Sequence, residues 1–138
     1  MARHTARGLV VHDGQLLMME RWRDDKHYFS IPGGGIEPDE TPEQCAAREI
    51  LEETGVGVSV EQLVLTMPDG DSEHRIYLCK YLSGEPHLPE DAPELAEMHV
   101  NPNNRFLPRW VPFDELETLE FGYWQPLKAD VLKLVLGA

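Results

Sequence analysis

The sequence has few cysteines and no long apolar run. Its 138 residues include only Cys45 and Cys79, which fall in segments with helix-like and strand-like patterns. Because they form no Cys-x-x-Cys motif and no disulfide framework, we expect reduced thiols in a cytoplasmic protein. No apolar segment approaches the roughly 20 residues that span a bilayer. The basic residues near the start precede no apolar core of a secretory signal, so we expect neither secretion nor a membrane partner.

Positive charge is scarce as well. There are 12 lysines and arginines against 25 aspartates and glutamates, which gives a formal net charge of −13 at pH 7. Such a surface repels phosphate backbones and anionic lipids, which argues against a nucleic-acid polymer or a membrane as the partner. The excess acids either keep the chain soluble or in part surround a cation, and only their local spacing distinguishes these explanations.

The chain is long enough for a hydrophobic core, and we expect residues 1–138 to form a single domain without repeats or linkers. Two apolar runs flank Asp13-Gly14, which predicts a β-hairpin. A polar connection follows. A helix is then predicted, because Thr41 and Gln44 form a capping box and Gly55 suits a left-handed C-terminal cap.

The second half of the sequence alternates between strand-like and helix-like patterns. Residues 58–67 and 74–82 are predicted strands joined by a turn, and a proline- and glutamate-rich loop is predicted over residues 85–104. A short strand and a helical turn are predicted over residues 105–116, followed by an amphipathic helix over residues 124–136. The apolar face of that helix contains Leu127, Val131 and Leu134. Hairpins mixed with helices indicate an α/β fold with a mixed sheet packed against helices.

The stretch REILEETGV concentrates negative charge on one side of the first predicted helix. Glu49, Glu52 and Glu53 are spaced i, i+3 and i+4 and therefore share a face, where like charges cost about 0.2–0.5 kcal/mol per pair. Ile50 and Leu51 are predicted to be buried on the opposite side. A solvated acidic face is the simpler explanation, but clustered carboxylates are also what Mg²⁺ or Mn²⁺ requires.

The wider context of these glutamates is GGIEPDETPEQCAAREILEETGV. From Gly34 to Val56 it resembles the Nudix box, G-x5-E-x7-R-E-U-x-E-E-x-G-U with U apolar, at every specified position. At average residue frequencies a chance match per window is on the order of one in a billion. The Pro-Gly-Gly turn before the box and the later segment RWVPFDEL are also similar to the family. Phe29 departs mildly from it, because many relatives have tryptophan there.

The resemblance implies an α/β/α sandwich with a mixed sheet between helices. It also implies a hydrolase that cleaves a nucleoside diphosphate linked to another moiety. The metal ligands it implies for Mg²⁺, which Mn²⁺ can replace, are Glu49, Glu52, Glu53 and the backbone carbonyl of Gly33. The cation would bind phosphate oxygens and polarise the water that attacks phosphorus.

Two further residues of the box have expected supporting roles in catalysis. Arg48 is expected to orient a glutamate by ion pairing, and Glu40 to hold the loop against the helix. The identity of the general base stays open. The candidate within the box is Glu49, and the candidate on the 85–104 loop is Glu94. The acids of that loop are Glu90, Asp91, Glu94 and Glu97.

Candidates for substrate binding precede the box or are aromatic. Arg21, Arg23 and Lys26 lie on the approach to the box and could contact phosphate or ribose, although exposed solubilising charge explains them equally well. Aromatic rings could stack on a base, but core or rim packing is their commoner role. These aromatic residues are Trp22, Tyr28, Trp110, Tyr123 and Trp124.

Three functions fit this pattern. The first is a Mg²⁺-dependent Nudix hydrolase acting on a small nucleotide, either a nucleoside triphosphate, including damaged ones, or a nucleotide sugar such as ADP-ribose. The second is a non-catalytic Nudix-fold module that senses a nucleotide, although such a module would be expected to have lost box glutamates. The third, an acidic cation-binding protein, leaves the glycine and arginine positions of the box unexplained. No sequence feature identifies a dimer surface, so a homodimer stays open.

Overall fold

The computed structural model describes residues 4–90, 92–101 and 103–137. The strands are β1 (Thr5–His12), β2 (Gln15–Arg23), β3 (Lys26–Ser30), β4 (Gly33–Gly35), β5 (Gly57–Asp69), β6 (Ser72–Ser83) and β7 (Asn104–Pro112). The α-helices are α1 (Pro42–Thr54), α2 (Pro93–Val100) and α3 (Lys128–Leu136), and Phe113–Thr118 and Gly122–Leu127 form 3-10 helices. Across these ranges, no helix combines the length and the apolar character that a membrane crossing needs.

All of these strands belong to one mixed sheet. Its main path runs β3-β2-β1-β6-β5, while β4 pairs with β1 and β7 pairs with β2. The β1–β6 pair is parallel and the other pairs are antiparallel. The hairpin predicted at Asp13-Gly14 is confirmed, as is the hairpin that joins β5 to β6.

Apolar clusters cover both faces of the sheet, which confirms the predicted α/β/α sandwich. Because side chains alternate along a strand, neighbours on β1 point to opposite faces. Leu9 packs in a cluster with Val131 of α3 and the residues of the 3-10 helices. Val10 packs in a second cluster with Ile50 of α1.

Helix α1 has the ends that its sequence predicts. The Thr41 hydroxyl accepts from the Gln44 backbone N–H at 3.1 Å, and the Gln44 side chain accepts from the Thr41 N–H at 2.9 Å. Gly55 ends the helix with φ of +77°, a left-handed conformation that favours glycine. Ile50 is fully buried, as expected, but the prediction for Leu51 was wrong because its side chain is 52% exposed. The helix rests on the sheet through one stripe of i, i+4 residues, and Leu51 falls outside it.

Three segments differ from their predictions. The 85–104 loop contains α2, in which Pro93 occupies the first turn, a position where the missing N–H costs no hydrogen bond. The polar connection before the box contains β3 and β4. The C-terminal α-helix starts only at Lys128, because residues 122–127, which include Pro126, form a 3-10 helix.

Candidate active site

The main cavity of the candidate site, the one that Glu53 lines, has a volume of about 320 Å³ and lies where β1 and β2 separate. The two strands pair next to their hairpin turn, at Val11↔Leu16 and His12↔Gln15. Beyond that point β1 pairs with β4, while β2 pairs with β3 and β7. The polar lining of the cavity consists of Arg7, Arg21, Tyr28, Ser30, Glu53, Asp69, His74, Glu94 and Tyr123, and its apolar lining includes Met19, Ile31, Phe106 and Trp124.

Glu53 is the box glutamate that enters this cavity. Its Oε2 accepts a hydrogen bond from the Gly33 backbone N–H at 3.0 Å. Burial raises the pKa of Glu53 to about 8, against the opposing effects of the Gly33 N–H and the Arg7 charge. Without a bound cation, this carboxyl is therefore largely protonated at neutral pH.

Glu49 lies close to the backbone of the turn that precedes the helix. A Cβ atom at Gly34 would stand 2.5 Å from the Glu49 carboxyl carbon, so this contact requires glycine. Burial raises the pKa of Glu49, and the Arg48 charge opposes that shift. The glycine that begins the box thus serves the close approach of a carboxylate.

Arg48 connects the acids of the box. Its guanidinium donates to both carboxylate oxygens of Glu40, at 2.7 and 2.9 Å. It also donates to Glu49 at 3.1 Å and to Glu52 at 3.2 Å. The hydrogen bonds from Arg48 lower the pKa of Glu40 to about 2, and those same contacts raise the pKa of Arg48. This is the geometry expected if Arg48 orients glutamates and Glu40 holds the loop.

The box glutamates supply the right chemistry for a hard divalent cation without forming a finished site. In residues 4–90, 92–101 and 103–137, no three His, Cys, Asp or Glu side chains are grouped as a metal-binding set. Glu52 turns towards Arg48, and Glu53 towards the Gly33 N–H. The donors are all oxygens, and α1 places them on one face beside Gly33, which fits Mg²⁺ or Mn²⁺.

The loop acids occupy different surroundings. Glu94 is half-buried and lines the cavity, and its Oε2 is buried without a hydrogen-bond partner. Burial raises the pKa of Glu94. Glu97 instead accepts from the Asn104 side chain at 2.8 Å. Glu90 is exposed, and Asp91 lies outside the described residues.

The basic candidates before the box divide between two cavities. Arg21 lines the main cavity, lies 3.7 Å from the Phe106 ring centroid, and donates to the Asn104 side chain at 2.7 Å. Arg23 and Lys26 are exposed and line a neighbouring depression of about 540 Å³. Tyr28 and Tyr123 line both cavities, which are therefore adjacent.

The aromatic candidates separate in the same way. Tyr28, Tyr123 and Trp124 line the main cavity. Trp22 stacks on His27 with 4.9 Å between the ring centroids, and Trp110 packs against Tyr81 with 5.6 Å between theirs. Both tryptophans therefore contribute to packing outside the main cavity. Only the first three are placed to contact a ligand there.

Two cavity residues were not singled out from the sequence. The guanidinium carbon of Arg7 lies 4.6 Å from the centroid of the Trp124 ring, and burial lowers the pKa of Arg7. His74 shares a hydrogen bond of 2.6 Å with the Thr5 hydroxyl and one of 3.1 Å with the Tyr123 hydroxyl. The available signal for Arg7 was a lone arginine inside the strand TARGLVVH. No local pattern marked His74.

Comparison with known proteins gives this site a family. The model of the NUDIX domain matches residues 2–134. A solved MutT structure, from work on the proteins of Aliivibrio salmonicida and Vibrio cholerae, matches with a TM-score of 0.74 and 20% identity over 97% of this chain and 99% of that chain. The structure of an ADP-ribose pyrophosphatase from Streptococcus suis matches with a TM-score of 0.67 and 18% identity, covering 99% and 91%.

Characterised relatives match over shorter stretches. A MutT-like protein of Streptomyces ambofaciens is 49% identical over 57 residues, or 41% of this chain. An ADP-ribose pyrophosphatase of Methanocaldococcus jannaschii is 32% identical over 101 residues, or 68% of this chain. The matches span 36% and 60% of the length of these two relatives. With the complete box from Gly34 to Val56 and the family model matched along nearly the whole sequence, the chain belongs to the Nudix hydrolase family.

Proposed function

We propose that this chain is a cytoplasmic, Mg²⁺-dependent hydrolase that cleaves the diphosphate bond of a small nucleoside diphosphate-linked compound by water attack at phosphorus. The observation that carries the proposal is the position of Glu53. Its carboxyl reaches from the box helix into the cavity, next to the Gly33 turn and the half-buried Glu94. The glutamate face of α1 that would hold the cation and the cavity that would hold the substrate therefore share Glu53.

The box residues would hold the cation through Glu49, Glu52, Glu53 and the carbonyl of Gly33. The bound cation, Mg²⁺ or Mn²⁺, supplies positive charge to phosphate oxygens and makes a water molecule more acidic. Arg48 restricts the side-chain positions of Glu49 and Glu52 through direct hydrogen bonds. Such outer contacts orient metal ligands and are costly to remove.

The general base is either Glu49 or Glu94. Both are half-buried carboxyls whose pKa is raised by burial, which brings proton transfer closer to neutral pH. Glu94 is the stronger choice, because its side chain lines the cavity and its buried Oε2 has no hydrogen-bond partner to hold it in place. Glu94→Gln is therefore expected to lower kcat, whereas Glu90→Gln, an exposed acid of the same loop, is expected to leave it unchanged.

The cavity favours one nucleoside-sized group as its occupant. Its volume of about 320 Å³ is near the lower end for small-molecule sites. Tyr28, Phe106 and Trp124 provide rings that can stack on a base, and Arg21 can contact ribose or phosphate. Two substrate classes fit the cavity: nucleoside triphosphates, including damaged ones, and nucleotide sugars such as ADP-ribose. Relatives of both kinds exist, since a putative 8-oxo-dGTP diphosphatase of Bacillus subtilis is 30% identical over 79 residues.

A panel of substrates tests the proposal. Nucleoside triphosphates, oxidised nucleotides, dinucleoside polyphosphates and nucleotide sugars are incubated with Mg²⁺ or Mn²⁺, and the released monophosphate is measured. We expect hydrolysis of at least one compound, abolished by chelator. Glu53→Gln should reduce turnover at least ~10–100-fold, because it removes a charged metal ligand. Glu115→Gln is the matched control, since Glu115 is an exposed acid on a 3-10 helix.

The same panel distinguishes the proposed hydrolase from the alternative, a non-catalytic sensing module. Such a module would bind a member of the panel, as seen by calorimetry, without releasing product. Full activity in Glu53→Gln, or activity that survives chelation, would refute the metal assignment.

A further inference from the structure

Arg7 brings a positive charge to the cavity, and no carboxylate of the described residues lies within ion-pair distance of it. Its Nη1 donates to the Ile31 carbonyl at 3.0 Å and lies 3.4 Å from the Gly33 carbonyl oxygen. Glu53 and Glu49 act on this largely buried guanidinium only from beyond ion-pair distance, which leaves its charge poorly compensated in the free protein.

The unused donors of Arg7 lie on one edge of the guanidinium. Both backbone contacts are made by Nη1, so Nε and Nη2 donate to no acceptor in the described part of the chain. Nε is buried and unpaired. Nε–H and Nη2–H form a planar fork, and because Nε is buried, a phosphate or carboxylate oxygen in the cavity reaches this fork at Nη2.

The position of Arg7 relates this fork to the reaction site. The Gly33 backbone lies between Arg7 and Glu53, because its N–H donates to Glu53 while its carbonyl faces Arg7. The Trp124 ring, 4.6 Å from the guanidinium carbon, supports the fork from one side. An anion bound by Arg7 would therefore lie next to the carboxyl that the box directs into the cavity.

The other two arginines are held differently. Arg48 is satisfied by Glu40, Glu49 and Glu52. Arg21, like Arg7, has a buried and unpaired Nε, but its Nη2 donates to the Asn104 side chain and its guanidinium stacks on Phe106. Arg7 is distinguished by its place beside the Gly33 carbonyl, and its Nη2 has no acceptor among the described residues.

We propose that Arg7 binds the diphosphate of the substrate directly, through Nη2–H on this edge of its guanidinium. This inference rests on the proposed function and extends it, because it assigns a phosphate-binding residue outside the box. The competing explanation is that Arg7 only braces the Ile31–Gly33 backbone through Nη1. The two explanations differ in what happens to anion affinity when the fork is removed and the fold is kept.

The direct test is binding of inorganic pyrophosphate to the full chain in the absence of metal, measured by calorimetry. We expect Arg7→Gln to weaken binding on the order of 100-fold, comparable to the loss of one strong donor from an anion site. Arg7→Lys keeps the charge but not the fork and should weaken binding less. Arg75→Gln is the matched control, because Arg75 is paired with Glu73 on the surface. Equal binding by wild type and Arg7→Gln, or no binding by wild type, would overturn the proposal.

A second measurement covers the case in which Arg7→Gln folds poorly. Arg7→Ala leaves space beside Trp124 that free guanidinium ion can fill. We expect millimolar guanidinium, but not methylammonium, to restore pyrophosphate binding to Arg7→Ala. Absence of rescue in a variant whose circular dichroism matches wild type would favour the bracing role.

The two proposals fail in different ways. If the wild-type protein cleaves no compound of the panel, the proposed function is refuted, while pyrophosphate binding still decides the role of Arg7. If the wild type is an active hydrolase and Arg7→Gln retains its kcat, KM and pyrophosphate affinity, only the assignment of Arg7 is wrong.

Discussion

Helix α1 and strand β1 each bring an arginine to strand β4, which contains Gly33, and the two arginines are held in different ways. Arg48 of α1 donates to carboxylates of the box at 2.7–3.2 Å. Arg7 of β1 donates to backbone carbonyls and stacks on Trp124. On the helix side the protein supplies the counter-charges itself, whereas on the strand side no carboxylate of the described residues lies within ion-pair distance of Arg7.

This difference suggests a division of roles, in which the helix side contributes stability and the strand side contributes ligand binding. The helix side is built from interactions that persist in the free protein, namely a capping box, a buried stripe and an ion-pair network. The strand side faces a cavity whose lining holds an unpaired donor at Arg7 of β1 and an unpaired acceptor at Glu94 of α2. Sites that bind ligands commonly keep such groups unpaired at a cost in stability.

The largest effect is expected from the contact between α1 and the sheet. Ile50→Ala removes a fully buried side chain and should lower the free energy of unfolding by about 2–5 kcal/mol. Leu51→Ala is the neighbouring control and should change it by less than about 0.5 kcal/mol, because Leu51 is exposed. Urea denaturation measures both. Similar losses in the two variants would contradict this packing of the helix.

The arginines themselves should respond in opposite ways. Arg48→Gln leaves Glu40, Glu49 and Glu52 without their cation, and we expect a loss of about 1–2 kcal/mol in unfolding free energy. Arg7→Gln removes an unpaired charge, so the metal-free protein should be equally stable or more stable. Thermal unfolding of both variants in chelator checks the contrast. A larger loss for Arg7→Gln than for Arg48→Gln would remove the distinction between the two sides.

Metal binding should release a proton from Glu53. Burial raises the pKa of Glu53 to about 8, so below that pH the metal-free carboxyl is protonated, while a metal ligand must be ionised. The apparent Mg²⁺ affinity should therefore rise by about tenfold per pH unit up to about pH 8 and then level off.

Calorimetry in two buffers of different ionisation enthalpy counts the released protons. Glu53→Gln should bind Mg²⁺ more weakly and lose this pH dependence. Affinity that is independent of pH in the wild type would show that Glu53 is already ionised before the metal binds.

The features that the sequence could predict are those encoded within a few neighbouring residues. The capping box of Thr41 and Gln44, the left-handed Gly55, and the hairpin at Asp13-Gly14 are local patterns, and all are present. The family resemblance also rests on one continuous stretch, so the chemistry of the box could be predicted before the fold was known. The motif specifies glycine at position 34 without giving a reason, and the close contact of Gly34 with the Glu49 carboxyl group supplies one.

The strand side could not be predicted because its parts are distant in the sequence. Arg7 and Trp124 meet only through the packing of a 3-10 helix on the sheet, and His74 reaches Thr5 across the parallel β1–β6 pair. Composition was misleading for α2, whose proline and glutamates resemble those of a loop. Helical periodicity alone also failed to decide which of two adjacent apolar residues, Ile50 or Leu51, faces the core.

The smallest effect is expected at the start of α1, far from the carboxylates at its other end. Thr41→Ala removes a hydroxyl that accepts from the Gln44 N–H and should cost about 1 kcal/mol in unfolding free energy. Thr41→Ser, which keeps the hydroxyl, should cost little. Because the loss acts on helix stability and not on the face that carries Glu53, kcat and pyrophosphate affinity should match wild type in both variants at temperatures where they are folded. A fall in kcat for folded Thr41→Ala would mean that the cap and the carboxylates are coupled through α1, and the helix side could then no longer be treated as a scaffold separate from the ligand side.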